Sequence, residues 1–244
     1  LPIILDLAKQ GDPVVENELV DLYSEGYGTA KDDEEAFYWA LKSAEQGYWR
    51  SQNKLGDMYY WGKGVEQDYA QAVEWYRKSA ENGYSVSQNN LGNMYYWGKG
   101  VEQDYAQAVE WYRKAAEKGY DWGMNNVGNC YRDGEGVEKD GEKAIEWFKK
   151  AYEKNGEAAG NAANRIGLIY NGGYGVEKDD VKQLEWYRKS AEKGYDWGMY
   201  NLGNCYRNGE GVEKNGEKAI EWFKKAYEKN GEAAGDARKK LDEL

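Results

Sequence analysis

The stretch from Leu91 to Gly119, LGNMYYWGKGVEQDYAQAVEWYRKAAEKG, decides the fold, because versions of it recur along the 244-residue chain at a nearly fixed interval. The second glycine of its loop returns at Gly28, Gly64, Gly100, Gly136, Gly175 and Gly211, with spacings of 36, 36, 36, 39 and 36 residues. A tryptophan keeps the same rhythm at Trp39, Trp75, Trp111, Trp147, Trp186 and Trp222. A period of roughly 20 to 50 residues marks stacked supersecondary units, none of which can bury its apolar face alone.

Inside one unit the helical wheel is two-faced. At 100° per residue Leu91, Gly92, Met94 and Tyr95 gather on one side, and Asn89, Asn93, Tyr96 and Trp97 gather opposite. Gly98 and Gly100 supply the positive-φ backbone that ends this first helix. Asp104 then stands as N-cap of a second helix with Gln107 in capping-box spacing, as Asp68 does with Gln71. In that helix Tyr105, Ala108, Val109, Trp111, Tyr112, Ala115 and Ala116 share a face, leaving Glu110, Arg113, Lys114 and Glu117 outward. Each unit is thus a helix–turn–helix. Gly56, Gly92, Gly128, Gly167 and Gly203 sit inside the first helices, where glycine costs about 1 kcal/mol against alanine. A neighbour is therefore expected to approach too closely there for a side chain.

These residues carry a resemblance. The leucine–glycine pair followed by tyrosine, the Gly-x-Gly-Val loop, the capping Asp, the Ala-x-x-Trp-Tyr run and the closing Ala-x-x-Gly resemble the Sel-one-like repeat, a relative of the tetratricopeptide repeat. The likeness spans almost the entire chain. It implies an all-α fold, a right-handed α-solenoid of antiparallel helix–turn–helix repeats of about 36 residues. It also implies a non-enzymatic adaptor that binds a peptide or protein segment along its concave first-helix surface.

The chain reads as a single repeat array over 1–244. A partial cap occupies 1–11, repeats follow at about 12–47, 48–83, 84–119, 120–156, 157–194 and 195–231, and a half-repeat closes it at 232–244. Asp12 and Pro13 read as cap and first residue of the first full unit, in which Val20 replaces the helical Gly. Residues 118–160 and 193–235 differ at only four places, so the duplicated block is two units long. Three extra residues enter at 155–160, and Gln183 stands where other units have Ala. At the far end Ala234, Ala237, Leu241 and Leu244 align with the start of another first helix. The last four residues, Leu-Asp-Glu-Leu, also resemble a lumenal retention tail, but Leu241 and Leu244 already have core positions to fill.

Composition narrows the function. A formal net charge of −11 disfavours nucleic acid and anionic membrane as partners and favours basic or apolar ones. No apolar run approaches the 18 or so residues of a membrane span, and a monomer is expected. Cys130 and Cys205 share the slot held elsewhere by Met58, Met94 and Ile169, which predicts small buried hydrophobes with free thiols. Free thiols favour the cytoplasm slightly; a removed leader would instead place the protein outside the cell. The chain has no histidine, which removes the commonest general base and metal ligand, and the Gly-x-Gly loops lack the strand and Gly-Lys ending of a phosphate loop. No catalytic residue, metal site or cofactor is expected.

Binding is better supported. The outward stripe of the first helices carries Asn53, Asp57, Tyr60 and Trp61, then Asn89, Asn93, Tyr96 and Trp97. It continues with Trp122, Asn125, Asn129 and Arg132, then Asn164 and Asn171, and then Trp197, Tyr200, Asn204 and Arg207. Asparagine both donates and accepts, which suits the backbone of an extended peptide, and Trp, Tyr and Arg are enriched at binding hot spots. Asn90, Asn126 and Asn201, by contrast, are expected to make intramolecular hydrogen bonds. Trp61 and Trp97 adjoin the loop and can either face a partner or pack on the next unit. Two alternatives stay open: a carbohydrate or small molecule stacked in an aromatic groove, and a consensus-like engineered array without a natural partner.

Overall fold

A computed structural model describes residues 1–243, and these residues form fourteen α-helices and no strand. The chain divides into two compact units, Leu1–Lys118 and Gly119–Leu244. The first holds α1 (Pro2–Ala8), α2 (Pro13–Glu25), α3 (Asp33–Glu45), α4 (Trp49–Trp61), α5 (Tyr69–Glu81), α6 (Ser85–Trp97) and α7 (Tyr105–Glu117). The second holds α8 (Asp121–Asp133), α9 (Gly141–Glu153), α10 (Ala159–Gly172), α11 (Asp180–Glu192), α12 (Asp196–Asn208), α13 (Gly216–Glu228) and α14 (Ala234–Asp242). In each unit the helices pack as hairpins, α2/α3, α4/α5 and α6/α7 in one and α8/α9, α10/α11 and α12/α13 in the other, each hairpin stacking on its successor. Each unit is therefore an α-solenoid, as the period requires.

Local chemistry places the helix ends. The first helix of each of the six full repeats stops at a left-handed glycine: Gly26, Gly62, Gly98, Gly134, Gly173 and Gly209. The second helix of each full repeat starts at a carboxylate or amide, Asp32, Asp68, Asp104, Asp140, Asp179 or Asn215. Its side chain accepts the backbone N–H three residues on at 2.9 to 3.0 Å. The second loop glycine has a further duty. A Cβ at Gly100 would collide with the Tyr69 carbonyl and one at Gly64 with that of Asp33, so the loop of one repeat lies directly on the start of the preceding second helix.

The helical glycines mark the tightest contacts. A Cβ on Gly56 would stand 2.5 Å from the ring of Tyr76, and one on Gly92 would stand 2.6 Å from that of Tyr112. Phe148, Tyr187 and Phe223 cover Gly128, Gly167 and Gly203 in the same way. The close neighbour is thus an aromatic ring from the partner helix of the hairpin. Leu19, Leu55 and Leu91 in the first unit, and Val127, Ile166 and Leu202 in the second, are fully buried beside it. The repeated tryptophans pack flat under a lysine one turn on, with Nζ 3.8 Å from the ring centroid for Lys78 over Trp75 and for Lys114 over Trp111.

Neither cysteine is in a disulfide, and both are fully buried. Burial, with Glu210 nearby, pushes the Cys205 thiol up to about 12. Gln183, which stands where other units have alanine, is buried, and its amide donates to Glu210 Oε2 at 3.0 Å. The three extra residues open a turn in which Asn155 takes a positive φ, and α10 begins with no side chain of its own at the cap. Asp121 supplies the cap from α8: one carboxylate oxygen accepts Trp122 N and the other Ala158 N, both at 2.9 Å. At the end of the chain Leu241 packs on the core with Ala237, whereas Leu244 lies outside the described residues.

Candidate interaction surface

A ladder of polar side chains lies behind the exposed stripe of the first helices. In the first unit Ser51 Oγ donates to Asn17 Oδ1 at 3.0 Å and Ser87 Oγ to Asn53 Oδ1 at 2.8 Å, so the asparagine of one first helix is bonded to the serine of the next. Each serine also bonds a serine of its neighbouring second helix at 2.7 Å. Asn90 Nδ2 reaches Asn53 Oδ1 at 3.4 Å, and in the second unit Asn201 Nδ2 donates to Asn164 Oδ1 at 2.8 Å. These bonds consume the amides between repeats.

Burial corrects two expected contact residues. Asn89 and Asn125 are only 6% and 2% exposed, so neither presents its side chain to solvent. The reason is geometric: a first helix in a stack is covered by its hairpin partner and by adjoining first helices, which buries more of its circumference than a one-sided wheel allows. Asn93 and Asn129 are half-buried, and Asn93 Oδ1 accepts the Tyr112 hydroxyl at 2.8 Å.

Aromatic side chains occupy what remains open. In the first unit Trp61 and Trp97 are each 65% exposed, so neither is packed away. Each meets the preceding tyrosine edge-on, Tyr60 or Tyr96, with centroids 4.7 Å apart and planes at 75°. In the second unit Trp122 is half-buried and lines a recess of about 420 Å³ with Asn161, Tyr195, Asp196, Lys229 and Glu232. Trp197 stands edge-on to Tyr200 at 5.6 Å. Asn204 is half-buried; Arg132 forms a two-pronged pair with Asp133 at 2.7 and 2.5 Å, and Arg207 reaches Glu243 at 3.4 Å.

Sequence reading passed over the chemistry of Asp57. Its carboxylate accepts the Tyr76 hydroxyl at 2.7 Å and Asn53 Nδ2 at 3.1 Å. It borders a recess of about 170 Å³ together with Tyr60, Trp61, Asn90, Asn93 and Met94. The available signal was the substitution itself, since the same slot holds Asn93, Asn129 and Asn204 in other repeats. Among the described residues no cluster of side chains has the composition of a metal site, and no helix is long and apolar enough to cross a membrane.

Comparison with known proteins agrees with this architecture. The Sel1 repeat matches residues 21–48, 49–84, 85–120, 123–156, 160–195 and 198–231. A protective antigen of uropathogenic Escherichia coli strains that displays an SLR fold is similar over 98% of this chain, at 38% identity and a TM-score of 0.86. The chain spans half (50%) of that antigen's length. A Sel1 repeat protein from Oxalobacter formigenes is similar over 89% of this chain and 86% of its own, at 34% identity and a TM-score of 0.80. No curated protein matches. Proteins built on these repeats are generally interaction scaffolds and typically non-catalytic. Six matched repeats, carried on hairpins whose glycines and capping carboxylates recur in register, make this chain a member of the Sel1 repeat family.

Proposed function

We propose that the protein is a non-enzymatic scaffold that binds a peptide or protein segment on the exposed stripe of its first helices. The observation that carries this reading is the pair of Tyr–Trp corners at Tyr60/Trp61 and Tyr96/Trp97, each with a tryptophan 65% exposed although the core takes up four others, Trp39, Trp75, Trp111 and Trp186. Large aromatic area left open at equivalent places in successive repeats costs free energy in water, and a partner that covers it recovers that cost. Trp122, Asn129, Arg132, Trp197, Tyr200, Asn204 and Arg207 are the corresponding contact residues of the second unit. The test is affinity capture from lysate with wild-type protein and with the W61A/W97A double variant. Proteins retained by the wild type and lost from a variant of unchanged helicity support the reading; an identical captured set from both removes it.

A further inference from the structure

The side chain that borders the recess at position 57 differs in charge from its counterpart one repeat later, Asn93. In both repeats, a second-helix tyrosine donates its hydroxyl to the side chain at this slot, Tyr76 to Asp57 at 2.7 Å and Tyr112 to Asn93 at 2.8 Å. An edge-on Tyr–Trp corner stands near each. One site holds a carboxylate and the other a neutral amide.

Among the described residues Asp57 forms no ion pair. Its polar contacts are Tyr76 and Asn53, and a carboxylate that accepts two hydrogen bonds has about two of its four lone-pair sites left. Lys54 is taken up by Asp21 at 2.7 Å. Burial pushes the Asp57 carboxyl above its usual range, outweighing the Tyr76 and Asn53 hydrogen bonds and the fields of Lys63 and Lys54, which lower it. The anion is thus under-compensated where it stands.

The wall beside it suits a cation. Trp61 offers its ring to solvent, and the neighbouring Tyr60 already holds an ammonium, since Lys99 Nζ lies 4.7 Å from its ring centroid and 2.6 Å from its hydroxyl. An aromatic face and a carboxylate are the two elements that recognise an ammonium or guanidinium. Two recesses meet at Asp57 and Trp61. The wider, about 560 Å³, is lined also by Lys31, Lys54 and Lys63, whereas the one on the Tyr60 side, about 170 Å³, is below the roughly 300 to 1,000 Å³ of a small-molecule pocket, and it fits the end of one side chain.

We infer that this recess seats a lysine or arginine side chain of a basic partner segment, with Asp57 as counter-ion and the Tyr60/Trp61 corner as its aromatic wall. The inference rests on the scaffold reading and gives it a partner chemistry. It agrees with the chain's net charge of −11, which draws basic segments toward the surface.

The test uses three capped pentapeptides, acetyl-GSKSG-amide, acetyl-GSRSG-amide and the norleucine analogue of the first, titrated into the full chain. The readout is the indole N–H resonances of Trp61 and Trp97, assigned with W61F and W97F. The lysine and arginine peptides are expected to shift Trp61 saturably, with norleucine inert and Trp97 little changed. D57N, which reproduces the Asn93 arrangement, is expected to weaken the response by about tenfold or more, as loss of one partner of a desolvated charge pair does. E74Q removes the same charge from an exposed site on α5 and is expected to leave it unchanged. Equal effects of D57N and E74Q, an equal response to norleucine, or no response of Trp61 to any peptide overturns the inference. Capture with W61A/W97A tests the scaffold separately, so either can fail alone.

Discussion

A hydrogen atom in place of a side chain at position 92 is what lets the Tyr112 ring lie on α6. Filling that contact with a methyl group overpacks it by about 1–3 kcal/mol, against roughly 1 kcal/mol gained in helix propensity. G92A is therefore expected to lower the urea midpoint, and in a Tyr112→Ala background the same change is expected to raise it. Asp57 makes a pH-dependent case. Its folded pKa is raised above the unfolded value, so the native state holds the proton more tightly and stability falls as pH rises between the two values. D57N lacks this loss. The melting-temperature difference between D57N and wild type is expected to be more positive at pH 7 than at pH 4, and a pH-independent difference would contradict the assignment. Cys205, raised to about 12, is expected to resist thiol reagents at pH 8 in the folded protein and to react at once in denaturant; rapid labelling of the native form would show that the site opens.

At the scale of the element, the caps of the second helices were legible in sequence because an Asp and the N–H it serves stand three residues apart. The start of α10 was not. Its cap, Asp121, comes from 37 residues earlier, and local spacing carries no trace of so distant a donor–acceptor pair. Asp196 serves Ala233 at the start of α14 in the same way at 2.9 Å. D121A is expected to cost about 1 kcal/mol, as loss of an N-cap does, and to speed amide exchange in the first turn of α10 ahead of the rest of that helix. Exchange that rises evenly throughout α8–α11 would point to global destabilisation instead. The inward turn of Asn89 and Asn125 escaped notice for a related reason. A wheel records which residues share a side, whereas burial in a stack depends on how many neighbours surround the helix, and Ser87 satisfies Asn53 only once the next repeat is in place.

For the molecule as a whole, the 36-residue period and a close approach at the helical glycines followed from the sequence because each recurs in register and averages out local exceptions, whereas the aromatic ring that makes the approach did not. The exposed aromatic corners were visible only as candidates. Whether Trp61 and Trp97 pack on the following repeat is fixed by the loop path, and structure places both in solvent. Each unit thus buries a repeated tryptophan on its second helices, and the first unit leaves a different pair open on its first helices. The most direct measurement is hydrogen–deuterium exchange of the protein with and without a captured partner. Protection concentrated at residues 57–61 and 93–97 is the result predicted; protection confined to the outer second-helix positions around Glu74, Arg77 and Glu110, with the first helices unchanged, would contradict the account.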